Sequence, residues 1–174
     1  MNEISYQDNL ITKFLIKSSK HGKFEVIIDT EDWNKIKTKH WSISYRKQPN
    51  LFYIVTYNTY LHRFILDERN PKIHVDHINH NTFDNKKSNL RQCSCKENIR
   101  NQKIHRNNVS KYKGVHWDNY HKKWRAAIMK NYKFIFLGYF KNPIDAAIIY
   151  NKKAKELFGK FAYMNEVKNE STLV

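Results

Sequence analysis

Little in this sequence favours a membrane or an oxidising compartment. No apolar run approaches the roughly 20 residues of a membrane-spanning helix, and the N-terminal stretch MNEISYQDNL lacks the charged-then-apolar pattern of a signal peptide. Cysteine is nearly absent. Only Cys93 and Cys95 occur, and their C-S-C spacing is too close for an ordinary disulfide or a paired zinc knuckle. Ligand counting therefore argues against structural zinc. Together these absences predict a soluble, intracellular protein.

Acidic residues are also scarce: 16 Asp and Glu face 32 Lys and Arg, a formal net charge of +16, with a sequence pI near 9.8. A polyanionic partner is the leading physical explanation, and nucleic acid comes first. Divided after Ser110, each part carries a net +8, so the charge is not a detachable tail. The 174 residues suffice for one ordinary domain or two small ones, and 40% hydrophobic residues supply compact cores.

Local patterns divide the chain. KFEVIID at 23–29 and LFYIVTY at 51–57 have the β-branched and aromatic content of strands. Between them Thr30, a following acid, Trp33 and Ile36 predict a short helical turn, and LHRFILDE predicts a helix. Pro71 marks a break. HVDHI then reads as a strand, NHNTFDNKKSN as a polar loop, LRQCS as a second strand and SCKENIRNQK as a helix with Glu97 favourably in its first turn. KIHRNNVSK, at 103–111, is polar and basic and reads as a linker.

After the linker, strands are expected at about 113–117, 122–130 and 133–139, with turns at DNYH and KNY. NPIDAAIIYNKKAKELFG predicts a helix with Asn142 as N-cap, Pro143 at the first position and Gly159 as C-cap. Its apolar face is expected to comprise Ile144, Ala147, Ile148, Ala154, Leu157 and Phe158.

The strand-loop-strand-helix segment concentrates groups that carry chemistry. If strand and helix pack, Asp76 and Asn98 provide two hard oxygen ligands, a set suited to Mg²⁺ or Mn²⁺ rather than zinc. His77 points to the other side of the strand from Asp76, and an imidazole can deprotonate water near neutral pH. One metal and one base suffice to hydrolyse a phosphodiester. A second reading stays open on spacing alone, because Asn and Asp are common loop residues and histidine is frequent on basic surfaces.

The stretch VDHINHNTFDNKKSNLRQCSCKENIRNQ closely resembles the HNH nuclease motif in its phage and intron-associated homing-endonuclease form. The resemblance extends to the β-rich lead-in GKFEVIIDTEDWNKIKTKHWSI and YLHRFIL. It implies a ββα-metal unit at about 73–102 inside a nuclease domain at 1–105, with a lead-in at 1–60. It also implies that Asp76 and Asn98 are the metal ligands, His77 is the general base and Asn89 is the loop residue that steadies the base. One Mg²⁺ or Mn²⁺ per active site is the implied cofactor. His80 stands where relatives often carry glycine, so either the loop adjusts or His80 adds a phosphate contact. The commoner outcome of such a change is a tolerated loop substitution. His74 is a bystander on this reading, and His62 a packed or capping residue. Arg91, Lys96 and Arg100 flank the motif as candidate phosphate contacts.

Residues 112–166, after a basic linker at 106–111 and before a tail at 167–174, resemble the plant APETALA and ethylene-response-factor DNA-binding domain. YKGV, KKWRAAI, LGYF, AAIIY and FGKFAYMN carry that likeness, which implies a three-stranded sheet on the major groove with the helix behind. Alternation alone puts Trp124, Ala126 and Ile128 on the helix side, and Lys123, Arg125, Ala127 and Met129 on the other. Phe134 and Phe136 also fall on the groove side. Arg125, with Lys113, His116, Lys122 and Lys123, forms the expected DNA-facing set. Ala127 and Met129 replace an acid and an arginine typical of plant relatives, so base preference cannot be inherited, and looser specificity is expected.

The expected fold class is thus α+β. The expected protein is a monomeric, metal-dependent, site-specific endonuclease of double-stranded DNA, encoded by a phage or mobile element and acting in the host cytoplasm without an obligate protein partner. The alternatives are a DNA-binding regulator whose nuclease unit is vestigial and a structural RNA- or ribosome-binding protein. The last has no account of Asp76, His77 and Asn98 together.

Overall fold

The computed structural model describes residues 3–47, 51–57, 59–104 and 107–167. Residues 168–174 of the expected tail, and residues 105 and 106 at the expected start of the linker, lie outside the described residues. The chain divides into two compact units, Met1–Cys95 and Lys96–Val174, each mixed α and β with small antiparallel sheets. Among the described residues no helix is long and apolar enough to cross a membrane.

The first unit opens with an antiparallel sheet of β1 (Glu3–Gln7), β2 (Ile11–Ser18) and β3 (Gly22–Asp29). Alternation buries Thr12, Phe14 and Ile16 of β2 and Val26 and Ile28 of β3 on one face. The helical turn expected after Thr30 is present as α1 (Trp33–Ile36), and Trp33 packs against Phe14 with ring centroids 5.5 Å apart. A second sheet follows, of β4 (Ser42–Arg46), β5 (Leu51–Thr56) and β6 (Thr59–Tyr60), and it leads directly into α2 (Leu61–Ile65). Ile36, Trp41, Ile54, Leu61 and Ile65 complete the core. Then β7 (His74–His77) pairs with β8 (Leu90–Cys93) in an antiparallel ladder.

The loop between β7 and β8 is not left to solvent. Its Asn85 N–H donates to the Ile27 carbonyl and the Ile27 N–H donates to the Phe83 carbonyl, at 2.8 and 2.9 Å, so the loop runs as a one-bridge extension of β3. Phe83 stacks on Phe24 at 5.1 Å, and the Lys87 N–H donates to Asp29 Oδ2 at 2.7 Å. The lead-in strands therefore hold the loop in place.

The second unit takes in α3 (Cys95–Asn101) from its second residue, then β9 (Val115–Asp118), β10 (Lys123–Lys130) and β11 (Lys133–Phe140) in the sheet order β11-β10-β9. The helix α4 (Pro143–Phe158) covers one face of that sheet. Its caps follow the sequence: Asn142 Oδ1 accepts from the Ile144 N–H at 2.8 Å, and Gly159 adopts φ +53° at the C-terminus. The buried stripe is Ala146, Ala147, Tyr150 and Ala154, whereas Ile148 is exposed, contrary to the periodicity reading. Alanines let the helix approach the sheet closely, and the stripe centres on Tyr150, whose ring fills the space over Gly114. A Cβ at Gly114 would stand 2.1 Å from that ring, and its φ of +76° also favours glycine.

Buried Asn165 closes this unit. Its side chain accepts from the Lys113 N–H at 2.6 Å and donates to the Lys113 carbonyl at 3.1 Å, while its backbone exchanges two 2.8 Å bonds with the Asn151 amide. Asn165→Ala would leave the partly buried Lys113 amide and carbonyl without these partners, and is expected to destabilise the second unit by about 2 kcal/mol. A urea titration of the full chain, followed at Trp117 and Trp124, measures it.

Candidate active site

Asp76 and His77 are neighbours on β7, and the strand period sends them to opposite faces. Val75 and His77 are buried, while His74 and Asp76 lie on the more open side. Asp76 is held by its cross-strand partner: Arg91 Nε and Nη2 both donate to Asp76 Oδ2, at 3.1 and 2.7 Å. Each side chain of this pair is only 10% exposed, so the interaction is shielded from solvent. Arg91, expected to meet phosphate, thus also fixes the carboxylate.

His77 has its tautomer set by a residue that the sequence reading passed over. Asn85, fully buried, donates from Nδ2 to the Thr82 carbonyl at 3.0 Å, which turns its Oδ1 toward His77 Nε2 at 3.2 Å. An amide oxygen only accepts, so Nε2 carries the proton and the lone pair of the neutral ring resides on Nδ1. Burial lowers the His77 pKa, opposed by the Asn85 hydrogen bond and by the charges of Asp76 and Asp84. The net lowering favours the neutral ring, the form that accepts a proton. His62 adds to this environment. Its ring lies 5.0 Å from that of His77 and near Tyr53 and Tyr60, and burial is the main reason its pKa falls to about 3. His62 is packed, as expected, but it is packed against the candidate base.

Asn89 braces the loop rather than the ring. Its Oδ1 accepts from the Asn79 N–H at 2.9 Å, its Nδ2 donates to the Asp84 carbonyl at 2.7 Å, and its own carbonyl accepts from the Ile78 N–H at 2.8 Å. Asn89 thus fastens both ends of the turn that presents Asn85, and steadies His77 at one remove. His80 keeps the left-handed backbone expected of a glycine, at φ +61°, with its N–H donating to the His77 carbonyl at 3.0 Å. The left-handed turn is thus made by His80 itself.

Replacing Asn85 with Ala removes the acceptor that selects the Nε2–H tautomer. A fall of about 10–100-fold in the rate of any reaction using Nδ1 as base is expected, the range seen when the partner orienting a functional histidine is lost. Ring ¹⁵N shifts of His77, measured beside that rate, should show the tautomer mixture that accompanies it.

The other expected site residues lie in the second unit. Asn98 is half-buried on α3, and Lys96 is exposed there. Arg100 places its guanidinium 4.6 Å from the centre of the Phe158 ring. Lys113 is a correction to the expected DNA-facing set. Its Nζ donates to the carbonyls of Arg100 and Gln102 at 2.8 and 2.7 Å, and burial lowers its pKa to about 8. It caps the C-terminal end of α3, where unpaired carbonyls and the helix dipole favour a cation. His116, Lys122, Lys123 and Arg125 are exposed.

The donor set bears on which metal this chain could take. Among the described residues no three His, Cys, Asp or Glu side chains gather into a cage. Asp76 offers a single, oriented carboxylate, which fits Mg²⁺ or Mn²⁺. These ions keep several waters and take one or two protein oxygens plus substrate phosphate, whereas zinc prefers a closed nitrogen and sulfur shell.

Compared with known proteins, the chain is 36% identical over 112 residues to a protein of Acanthamoeba polyphaga mimivirus described as an uncharacterized HNH endonuclease. The match covers 62% of this chain and 57% of that relative, so the chain spans little more than half the relative's length. No protein-family model matches the chain, and no solved structure matches it.

Proposed function

We propose that this protein is a DNA endonuclease that hydrolyses phosphodiester bonds with one divalent metal and a histidine base. The observation that carries the reading is the pairing on β7 of an oriented carboxylate, Asp76, with an imidazole whose basic nitrogen is fixed as Nδ1 by Asn85. Similarity to a viral protein described as an HNH endonuclease supports it.

In this reading His77 Nδ1 takes the proton of the attacking water, and burial favours the neutral ring that can do so. Arg91 holds the Asp76 carboxylate in one orientation. Asp76, together with Asn98 of α3, would hold Mg²⁺ or Mn²⁺, which when bound supplies charge stabilisation to the pentacovalent phosphorane and the leaving oxygen. Asn89 keeps the loop closed over β3. The second unit holds double-stranded DNA through Arg125, His116, Lys122 and Lys123, with Lys96 and Arg100 on α3. Its tethering raises the local concentration of the cutting unit, so weak affinity at the active site suffices. One such site in a monomer makes one nick. A compact, basic cutter with its own DNA-holding unit suits a site-specific, homing-type enzyme of a virus or mobile element.

Incubation of supercoiled plasmid with the full chain tests this. Relaxation of the plasmid in Mg²⁺, lost in EDTA and in Asp76→Ala, is expected. Binding without any Mg²⁺-dependent nicking by the wild type would leave a DNA-binding regulator in its place.

A further inference from the structure

The sheet of the second unit presents a face that its charge alone does not explain. Cross-strand register places Arg125 beside His116, Ala127 beside Phe136 and Met129 beside Phe134, all on the side away from α4. Phe134 is 74% exposed, Phe136 56% and Met129 49%. Large apolar side chains set side by side in water mark a contact surface rather than scatter. Phe134 and Phe136 share this face by simple alternation, and the register shift in β11 comes only after them, between the pairs Ala127–Phe136 and Ala126–Gly138. The small Ala127 side chain leaves a depression of about 280 Å³ among Arg125, Phe134 and Phe136.

The surroundings select the partner. From Lys111 onward the chain carries 13 Lys and Arg against 5 Asp and Glu, a net +8, so the face approaches a polyanion. Phosphates satisfy the cations but offer nothing to two phenylalanines and a methionine. Within the major groove of DNA, which admits a β-ribbon, the one apolar group on any base edge is the C5-methyl of thymine. We infer that the open face around Ala127, Phe134 and Phe136 reads thymine methyl groups in the major groove of double-stranded DNA. Arg125 lies beside the depression, placed for a neighbouring polar base edge or phosphate. Specificity then comes from carbon contact where base-reading arginines are few. The inference rests on the proposal that the second unit binds DNA, and it does not depend on cleavage.

Alternating copolymers isolate the methyl from every other variable. The full chain, in EDTA, is titrated with poly(dA-dT) and with poly(dA-dU) duplexes, which share charge and pairing and differ only at C5. Tighter binding to the thymine polymer, by about fourfold for each methyl contacted, is expected from the burial of one methyl. Poly(dG-dC) carrying 5-methylcytosine, which puts a methyl at the same groove position, should likewise bind more tightly than its unmethylated form. A Phe134→Ser, Phe136→Ser double variant should bring both ratios to about one while leaving the salt dependence unchanged. Both residues are exposed, and an unchanged thermal unfolding curve shows that the variant is folded.

Equal binding of the thymine and uracil polymers by the wild type would overturn the inference, as would ratios that survive in the double variant. Tighter binding to single-stranded poly(dT) than to either duplex would also overturn it, and would assign the face to base stacking. Loss of plasmid nicking with the methyl ratios intact sinks the nuclease reading alone. Nicking with ratios of one sinks only the methyl reading.

Discussion

His77→Gln is expected to lower the nicking rate about 100- to 10,000-fold, the usual contribution of a positioned general base. Glutamine is the informative replacement. It retains an N–H that can donate to Asn85 Oδ1 and roughly fills the pocket against His62, so the buried amide of Asn85 keeps a partner. What it lacks is a basic nitrogen. The fold should therefore survive while proton abstraction fails, and DNA affinity, which the proposed function assigns to exposed cations such as Arg125 and Lys123, should change little. Single-turnover cleavage with bound plasmid, compared with binding measured in EDTA, separates the two quantities. A variant that nicks within threefold of the wild type would remove His77 from the chemistry.

The second large effect is on stability and follows from His62. Its pKa is about 3 in the fold, chiefly through burial, against about 6.5 in an unfolded chain. Below pH 6.5 the unfolded state takes up a proton that the folded state refuses. Stability is thus complete above that pH and falls as pH drops from about 6.5 toward 3, by up to about 1.4 kcal/mol per pH unit. At pH 5 the first unit should have lost about 2 kcal/mol from His62 alone. His77, also lowered by burial, acts in the same sense. Hydrogen exchange of the β2 and β3 amides, corrected for the chemical exchange rate and followed by mass spectrometry at pH 7.5 and 5, reads this loss. In His62→Phe, which keeps an aromatic ring beside Tyr53 and Tyr60 and cannot be protonated, the pH dependence should be shallower by that amount. An equal loss in both proteins would mean that His62 is protonated at no cost.

The sequence made the local elements legible because each carries its own signal. Strand alternation in β10 sorted Trp124, Ala126 and Ile128 from Arg125 and Met129, and the caps of α4 lay where Asn142, Pro143 and Gly159 required. What it concealed arises from contacts distant along the chain. Nothing in TFDN announces that Asn85 will be carried by a one-residue bridge onto β3 and turned to a histidine eight positions earlier. Lys113 reads as a surface cation, and only packing reveals two carbonyls within reach of its ammonium group. Ile148 sits four residues after Ile144, yet the buried stripe runs through Ala146, Ala147, Tyr150 and Ala154, and at 3.6 residues per turn Ile148 falls on the far side of the helix from it. His62 was open to either role until its ring was seen against His77. A polar loop such as 79–89, with Thr82, Asp84, Asn85 and Asn89 buried, is the hardest case, since its order comes from amide hydrogen bonds without periodicity.

The central claim is that His77 supplies the base for DNA cleavage, and chemical rescue tests it most directly. His77→Gly deletes the imidazole and opens a space of that shape between His62 and Asn85. Nicking of supercoiled plasmid by this variant in Mg²⁺ should be nearly undetectable, and should rise in proportion to added imidazole while the wild-type rate stays flat. Wild-type protein that leaves the plasmid supercoiled, or a glycine variant that nicks at the wild-type rate without imidazole, would contradict it.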